Sequence, residues 1–328
     1  MGVMRMRKHN RFAGLVVAAR KLLLLGLLAS VISPAMASDR LNPELLKSVL
    51  RVETAPDVRG NLEIGTGFLL STSLGDEKEK LLLITNKHMI GDWNFADRNI
   101  ATFQPWLNVY FYRTGDPSGR PYRATKIDVL KPDGTLNTSK VYMHGNPAID
   151  LVAIDVTAEA NAPTEHIQFT AYSKSYLLTF DKVSDWQTTI GDDVIALGYP
   201  LGIRSLRNNY PIAKVGYLAS TPDQEVSIPF PTRNRAGITS EQRIEGKFLV
   251  VDGLIVPGNS GGPVVLVGGI RLRRDPQSNQ LQFLDKPIPN YVIGVVSSAL
   301  GPSGLTIAVS TDYLLELIDA ASVRPAAK

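Results

Sequence analysis

Short runs of Val, Ile, Leu and aromatic residues recur along most of the chain, each bounded by Gly, Pro, Asn or Asp. Runs of this length with turn residues between them predict β-strands. The first group is 48–54, 65–71, 80–86, 108–113, 123–132 and 149–156. A stretch of weaker patterning, 157–191, separates it from a second group: 194–199, 211–220, 247–253, 262–268, 290–300 and 304–311. Two sets of six short strands predict an all-β fold of two six-stranded antiparallel barrels, since closure removes exposed strand edges. Helical signals fall at the two ends. Asn42 can cap a turn that has Pro43 at its first position, and Tyr313, Leu314, Leu317 and Ile318 share one face of a short C-terminal helix. Residues 91–107, 221–246 and 269–289 read as long loops, and no further domain is expected after the last helix.

Composition narrows the chemistry. The chain has 328 residues and no Cys. Disulfide scaffolds, thiol nucleophiles and zinc–thiolate sites are therefore excluded. The formal charge of +4 points toward polyanions only until its location is considered. Six of the basic residues, Arg5, Arg7, Lys8, Arg11, Arg20 and Lys21, lie in the first 37 positions, which hold no Asp or Glu. An apolar run over 22–32 and the small-x-small sequence Ala35-Met36-Ala37 complete the order of a secretory signal peptide. The run is shorter than the ~18 residues of a membrane span. Cleavage after Ala37 leaves 29 basic against 31 acidic residues. The expectation is a bacterial periplasmic or secreted protein that does not bind nucleic acid and has no stable membrane insertion.

Three segments carry candidate chemistry. In Pro257-Gly258-Asn259-Ser260-Gly261-Gly262-Pro263, glycines around a serine allow a sharp turn whose amides can point into a site. Ser260 is the candidate nucleophile, and the amides of Gly258 and Ser260 are the natural pair to bind an oxyanion. The same residues also fit a glycine-rich β-turn. In Ile84-Thr85-Asn86-Lys87-His88, a histidine ends an apolar strand where its ring can reach a cleft as a general base. A hydrogen-bonded structural histidine fits there too. In Asn146-Pro147-Ala148-Ile149-Asp150-Leu151, a carboxylate enters an apolar strand, as the orienting member of a Ser-His-Asp triad must. Asp128 is its main competitor, whereas Asp155 faces the other side of the strand. His144 reads as a turn residue and His166 as part of a polar connector. No pair has metal-ligand spacing, so no metal or cofactor is expected.

Taken together in the order His…Asp…Ser, these segments resemble the trypsin-like (chymotrypsin-fold) serine peptidases. The closest likeness is to the bacterial exported branch that includes the high-temperature-requirement proteases. Further shared stretches are Gly65-Thr66-Gly67-Phe68, Ala196-Leu197-Gly198-Tyr199-Pro200-Leu201-Gly202, Val251-Asp252-Gly253 and Tyr291-Val292-Ile293-Gly294-Val295. The resemblance implies a first barrel over 38–165 bearing His88 as base and Asp150 as orienter. It implies a second barrel over 166–328 bearing Ser260 and the specificity pocket, with the active-site cleft between the two. It also implies protein or peptide substrates.

The departures are informative. His88 and Asp150 are 62 residues apart, longer than is usual in the family, and no PDZ-type domain follows. Asn259 stands where digestive members carry the Asp that pairs with a new N-terminus, so activation by N-terminal insertion is not expected. The pocket base falls at Leu254, followed by Ile255, with Val295 and Val296 on the wall, which implies soft aliphatic selectivity. Arg271, Arg273 and Arg274, with Arg233 and Arg235, read as solvated loop charge. A latent or inert two-barrel binding or chaperone-like module is the alternative function, and an esterase the third.

Overall fold

The computed structural model describes residues 41 and 43–322, apart from 74–78, 94–97, 115–120, 163–165, 234–238, 254, 270–271, 275–277, 284–288 and 301–302. The expected signal segment, Leu254, Arg235 and Arg271 lie outside the described residues. Residues 41–328 form one compact unit.

Its first half begins with a 3-10 turn, Pro43–Ser48, and a run of strands: β1 (Val49–Thr54), β2 (Ile64–Ser73), β3 (Glu79–Thr85), β4 (Trp106–Arg113), β5 (Tyr122–Asp128), β6 (Val141–Met143), β7 (Val152–Asp155), β8 (Ile167–Gln168) and β9 (Tyr172–Ser173). They form a nine-stranded sheet in the order β5-β4-β1-β2-β3-β7-β6, with β8 beside β4 and β9 beside β2. All residues of β1 are buried, as befits a central strand covered on both faces.

The second half comprises β10 (Asp193–Gly198), β11 (Ile212–Leu218), β12 (Val226–Arg233), β13 (Thr239–Gly246), β14 (Phe248–Asp252), β15 (Pro263–Leu266), β16 (Leu272–Arg274), β17 (Leu281–Phe283), β18 (Tyr291–Ala299) and β19 (Leu305–Ser310). Six of these close into a barrel, β10-β11-β14-β19-β18-β15. These six correspond one for one to the second group of apolar runs.

Closure of both halves is where the expectation needs correction. Among the described residues, β5 and β6 share no ladder. The chain between them folds into tight turns instead. Lys131 N–H donates to Thr135 O at 2.8 Å, Asn137 N–H donates to Val129 O at 2.8 Å, and Leu130 and Leu136 make only an isolated bridge. β6, three residues long, pairs with β7 on one edge and ends the sheet. The first half is therefore a curled, open sheet.

Two of the expected loops also contain strands. β12 and β13 pair over eight positions within 221–246, and β16 pairs with β17 within 269–289. Arg233, Arg273 and Arg274 lie on these hairpins.

An apolar cluster joins the two halves. It contains Phe68, Leu70 and Tyr172 from the open sheet and Leu197, Phe248, Val265 and Val309 from the barrel. Leu314, Leu317 and Ile318 of the C-terminal helix, Thr311–Ser322, dock onto the same cluster. Burying a side chain of this size contributes roughly 1.5–3 kcal/mol. The shared cluster therefore fixes the open sheet and the barrel relative to each other, and the candidate site lies along that seam.

Candidate active site

Ser260 sits in a turn whose shape requires glycine. Gly258 has φ +102° and Gly261 φ +85°, backbone that L side chains rarely adopt. Space is equally restrictive. A Cβ on Gly258 would meet Tyr199 O at 2.2 Å, and one on Gly261 would meet Thr66 O at 2.0 Å. The turn is stitched to both halves. Gly261 N–H donates to Val296 O at 2.8 Å on the barrel side. On the sheet side, Thr66 N–H donates to Ser260 O at 2.8 Å and Thr66 Oγ1 donates to Gly258 O at 2.7 Å. Asn259 is fully buried and its Nδ2 donates to Val256 O at 3.0 Å, closing the turn on itself. Among the described residues, neither the Gly258 nor the Ser260 amide is committed to a backbone carbonyl. Both donors thus remain available to a developing oxyanion.

His88 lies in the single helical turn Lys87–Ile90 that follows β3. Its Nδ1 is 2.7 Å from Asp150 Oδ2, and its amide donates to Asp150 Oδ1 at 3.2 Å. Asp150 is fully buried, while the His88 side chain keeps 26% of its surface exposed. Burial pushes the His88 pKa down, but the Asp150 charge, its hydrogen bond and the more distant Glu63 charge outweigh burial and raise it above the usual 6.5. A buried carboxylate fixed on Nδ1 leaves Nε2 as the ring nitrogen that can accept a proton.

The turn that carries Asp150 is gripped from the His88 segment by further donors. Asn86 Nδ2 donates to Asp150 O at 2.7 Å, Lys87 Nζ to Asn146 O at 3.0 Å, and Trp93 Nε1 to Pro147 O at 3.0 Å. These bonds span the 62-residue separation and hold the two segments in register. Asp128 is exposed and lies beside Lys126 at 3.6 Å, and Asp155 pairs with Lys80 at 3.0 Å. Neither carboxylate takes part in the His88 cluster.

Sequence reasoning missed Ser297. Its hydroxyl donates to Asp150 Oδ2 at 2.8 Å, and its carbonyl accepts from Ser260 Oγ at 3.4 Å. A β-bulge explains its orientation. The pairing of β18 with β19 runs Val296↔Ala308 and then Ser298↔Ile307, skipping Ser297. The extra residue re-aims its side chain toward the site. Strict alternation would have placed Ser297 in phase with Val295, in the core.

Among the described residues, Ser260 Oγ hydrogen-bonds to the Ser297 carbonyl and not to His88. Of the expected pocket residues, Ile255 and Val296 belong to one buried apolar cluster of the barrel and Val295 to the cluster shared with the sheet. Among the described residues, no group of three or more His, Asp or Glu side chains is placed to hold a metal ion. No described helix is long and apolar enough to cross a membrane.

His88 is thus held by a buried carboxylate beside the open sheet, and Ser297 links that carboxylate to the Ser260 turn of the barrel. The comparisons with known proteins give the family. A family model described as the trypsin-like peptidase domain matches residues 65–269, and the chain belongs to that family of serine proteases. No curated protein matches the sequence. Among solved structures, the chain is similar to an HtrA-type protease, AlgW, solved with a tripeptide. Identity is 16% and the TM-score 0.44, with 86% of this chain and 62% of that one covered, so this chain spans less than two thirds of AlgW. It is also similar to the Rv3671c protease of M. tuberculosis in its active form, at 15% identity and TM-score 0.43, covering 90% and 94% of the respective chains. A thermostable serine protease, AL20, from an extremophilic microorganism is similar at 13% identity and TM-score 0.42, with 86% and 100% covered.

Proposed function

We propose that the protein is an exported serine endopeptidase that cleaves peptide bonds through an acyl-enzyme on Ser260. The observation that carries this reading is the 2.7 Å contact between His88 Nδ1 and the buried Asp150 carboxylate, on the seam that also holds the Ser260 turn. In the first step Ser260 Oγ attacks the scissile carbonyl carbon while His88 Nε2 takes its proton. The amides of Gly258 and Ser260 bind the resulting oxyanion. The C–N bond then breaks and His88 returns the proton to the leaving amine. A water activated by His88 next attacks the acyl carbon, the ester bond breaks, and the proton returns to Ser260. Removing one oxyanion donor in enzymes of this kind costs about 10²–10³ in kcat.

Substrates on this reading are proteins or peptides, with an apolar primary pocket based on Leu254 and favouring aliphatic side chains before the scissile bond. A peptide-library profile dominated by Lys or Arg at that position would contradict the pocket assignment. The same reading has the chain exported to the periplasm or beyond, with its leader cut after Ala37, and treats the open sheet as the counterpart of the first barrel. Intact-mass measurement of the protein recovered from a bacterial periplasm or medium tests the cleavage point. A mass retaining residues 1–37 would overturn it.

The latent-module alternative is kept because Ser260 Oγ contacts the Ser297 carbonyl in place of His88. A fluorophosphonate probe separates the two readings. Protein beginning at Ser38 is expected to label, and Ser260→Ala and His88→Ala are expected not to. Folded protein that does not label would favour the latent module.

A further inference from the structure

Lys87 is 4% exposed, yet among the described residues its ammonium has no carboxylate within ion-pair distance. Among the described residues it donates to the Asn146 carbonyl, 3.0 Å away and 59 positions along the chain. A buried cation with so few partners is unfavourable unless nearby charge offsets the lost hydration. The nearby charge is Asp150, which attracts it. Burial still dominates and pulls the Lys87 pKa from 10.5 down to about 8.

The Asn146 end of the clamp is built with care. Asn146 O also accepts from Ile149 N–H at 3.2 Å, and Asn146 Oδ1 accepts from Ala148 N–H at 2.9 Å, which sets the turn leading into Asp150. The Asn146 amide donates to His144 Nδ1 at 3.1 Å, a bond that needs this nitrogen unprotonated. His144 Nε2 faces Glu316 of the C-terminal helix at 3.3 Å, and its ring packs edge-on to Tyr313. Burial lowers the His144 pKa, Glu316 opposes, and the Lys87 charge lowers it further. The charged form of Lys87 thus also favours the neutral His144 on which the Asn146 amide rests.

We infer that Lys87 is a positioning residue for Asp150: its buried ammonium clamps the Asn146–Asp150 turn against the His88 segment and stabilises the Asp150 carboxylate. The inference rests on the peptidase reading for its catalytic consequence. Titratable groups facing Lys87 are Asp150 and His144, with Glu316 and Tyr313 acting through His144.

The test reads the hydrogen bond itself. In Ser260→Ala protein, which cannot digest itself, the low-field NMR proton on His88 Nδ1 reports its contact with Asp150. The resonance is expected to be sharp near neutral pH and to broaden as pH rises through about 8, where Lys87 discharges. Adding Lys87→Met is expected to broaden it at every pH. With Ser260 present, Lys87→Met is expected to lower kcat by about ten- to a hundredfold, the range set by slight misplacement of a reacting group, with KM nearly unchanged. A Lys87→Met resonance that matches the parent across the titration would overturn the inference. Should that variant not fold, Lys87→Gln takes its place, compared with the parent at each pH so that the titration of His88 itself cancels, and a matching resonance would overturn the inference equally. The resonance does not depend on turnover, so an inactive protein would count against the proposed function alone.

Discussion

The hydroxyl of Ser297 donates to the Asp150 carboxylate at 2.8 Å while the carbonyl of the same residue accepts from Ser260 at 3.4 Å. One bulged residue therefore touches the Asp150 carboxylate with its side chain and the Ser260 hydroxyl with its backbone. Ser297→Ala removes only the first contact. A hydrogen bond to a charged group contributes ~1.5–3 kcal/mol to stability, so the melting temperature of the variant should fall. With one donor gone, Asp150 should hold protonated His88 more strongly, and the His88 pKa measured by NMR titration should rise. An unchanged titration curve would show that the Ser297 contact does not tune the pair.

The pH profile follows from the sign of the His88 shift. A general base must be neutral, and the pKa of His88 lies above 6.5. Activity should therefore be lost as pH falls through a midpoint above 6.5, and kcat/KM measured against pH checks this. A midpoint below 6.5 would mean that burial outweighs Asp150. Asp150→Asn removes the main influence raising the pKa and misorients the ring, so kcat should drop by about 10⁴.

Gly261→Ala tests the nucleophile turn. It forces a side chain onto φ +85° and into Thr66 O at 2.0 Å. Strain of this kind costs about 1–3 kcal/mol, so the melting temperature should fall and turnover should collapse. Gly145→Ala is the control, because a Cβ there meets nothing within 4 Å. Equal behaviour of the two variants would refute the steric account.

Tyr199 and Tyr112 tie the halves together away from the chemistry. The Tyr199 hydroxyl lies 2.8 Å from Asn209 O and 3.1 Å from Val49 O, and the Tyr112 hydroxyl lies 3.1 Å from Asn209 O. Burial raises the pKa of both phenols, so they stay neutral donors. Tyr199→Phe removes one buried hydrogen bond and leaves Tyr112 as the donor to Asn209 O, at a cost of ~0.5–1.5 kcal/mol, and thermal unfolding should show the loss. Probe labelling of Ser260 in the folded variant should be retained.

The barrel strands were legible in the sequence because each is rich in apolar residues and closed by a turn residue, although β11 is largely exposed on alternate positions. The strands of the two hairpins were not. Val226–Arg233 contains Pro229 and Pro231, and Thr239–Gly246 is mostly polar, so neither carries a burial signal. Among the described residues of the hairpin, the buried hydrophobic side chains are Ile228 and Ile244, paired across it. At the site, glycine density marked Ser260, and the Asn-Pro turn marked Asp150. Ser297 left no mark, because a bulge breaks the alternation from which its direction would be read. Lys87 left none either, since a lysine beside a strand end is ordinarily solvated.

Thr66 reaches Gly258 across 192 positions of sequence. Contacts between such distant parts of a chain form late, after most of the loop-closure entropy has been spent. A chain emerging from synthesis therefore reaches position 66 long before the serine turn exists for it to hold. The Ser260 turn can thus close on Thr66 only once both halves of the chain are in place.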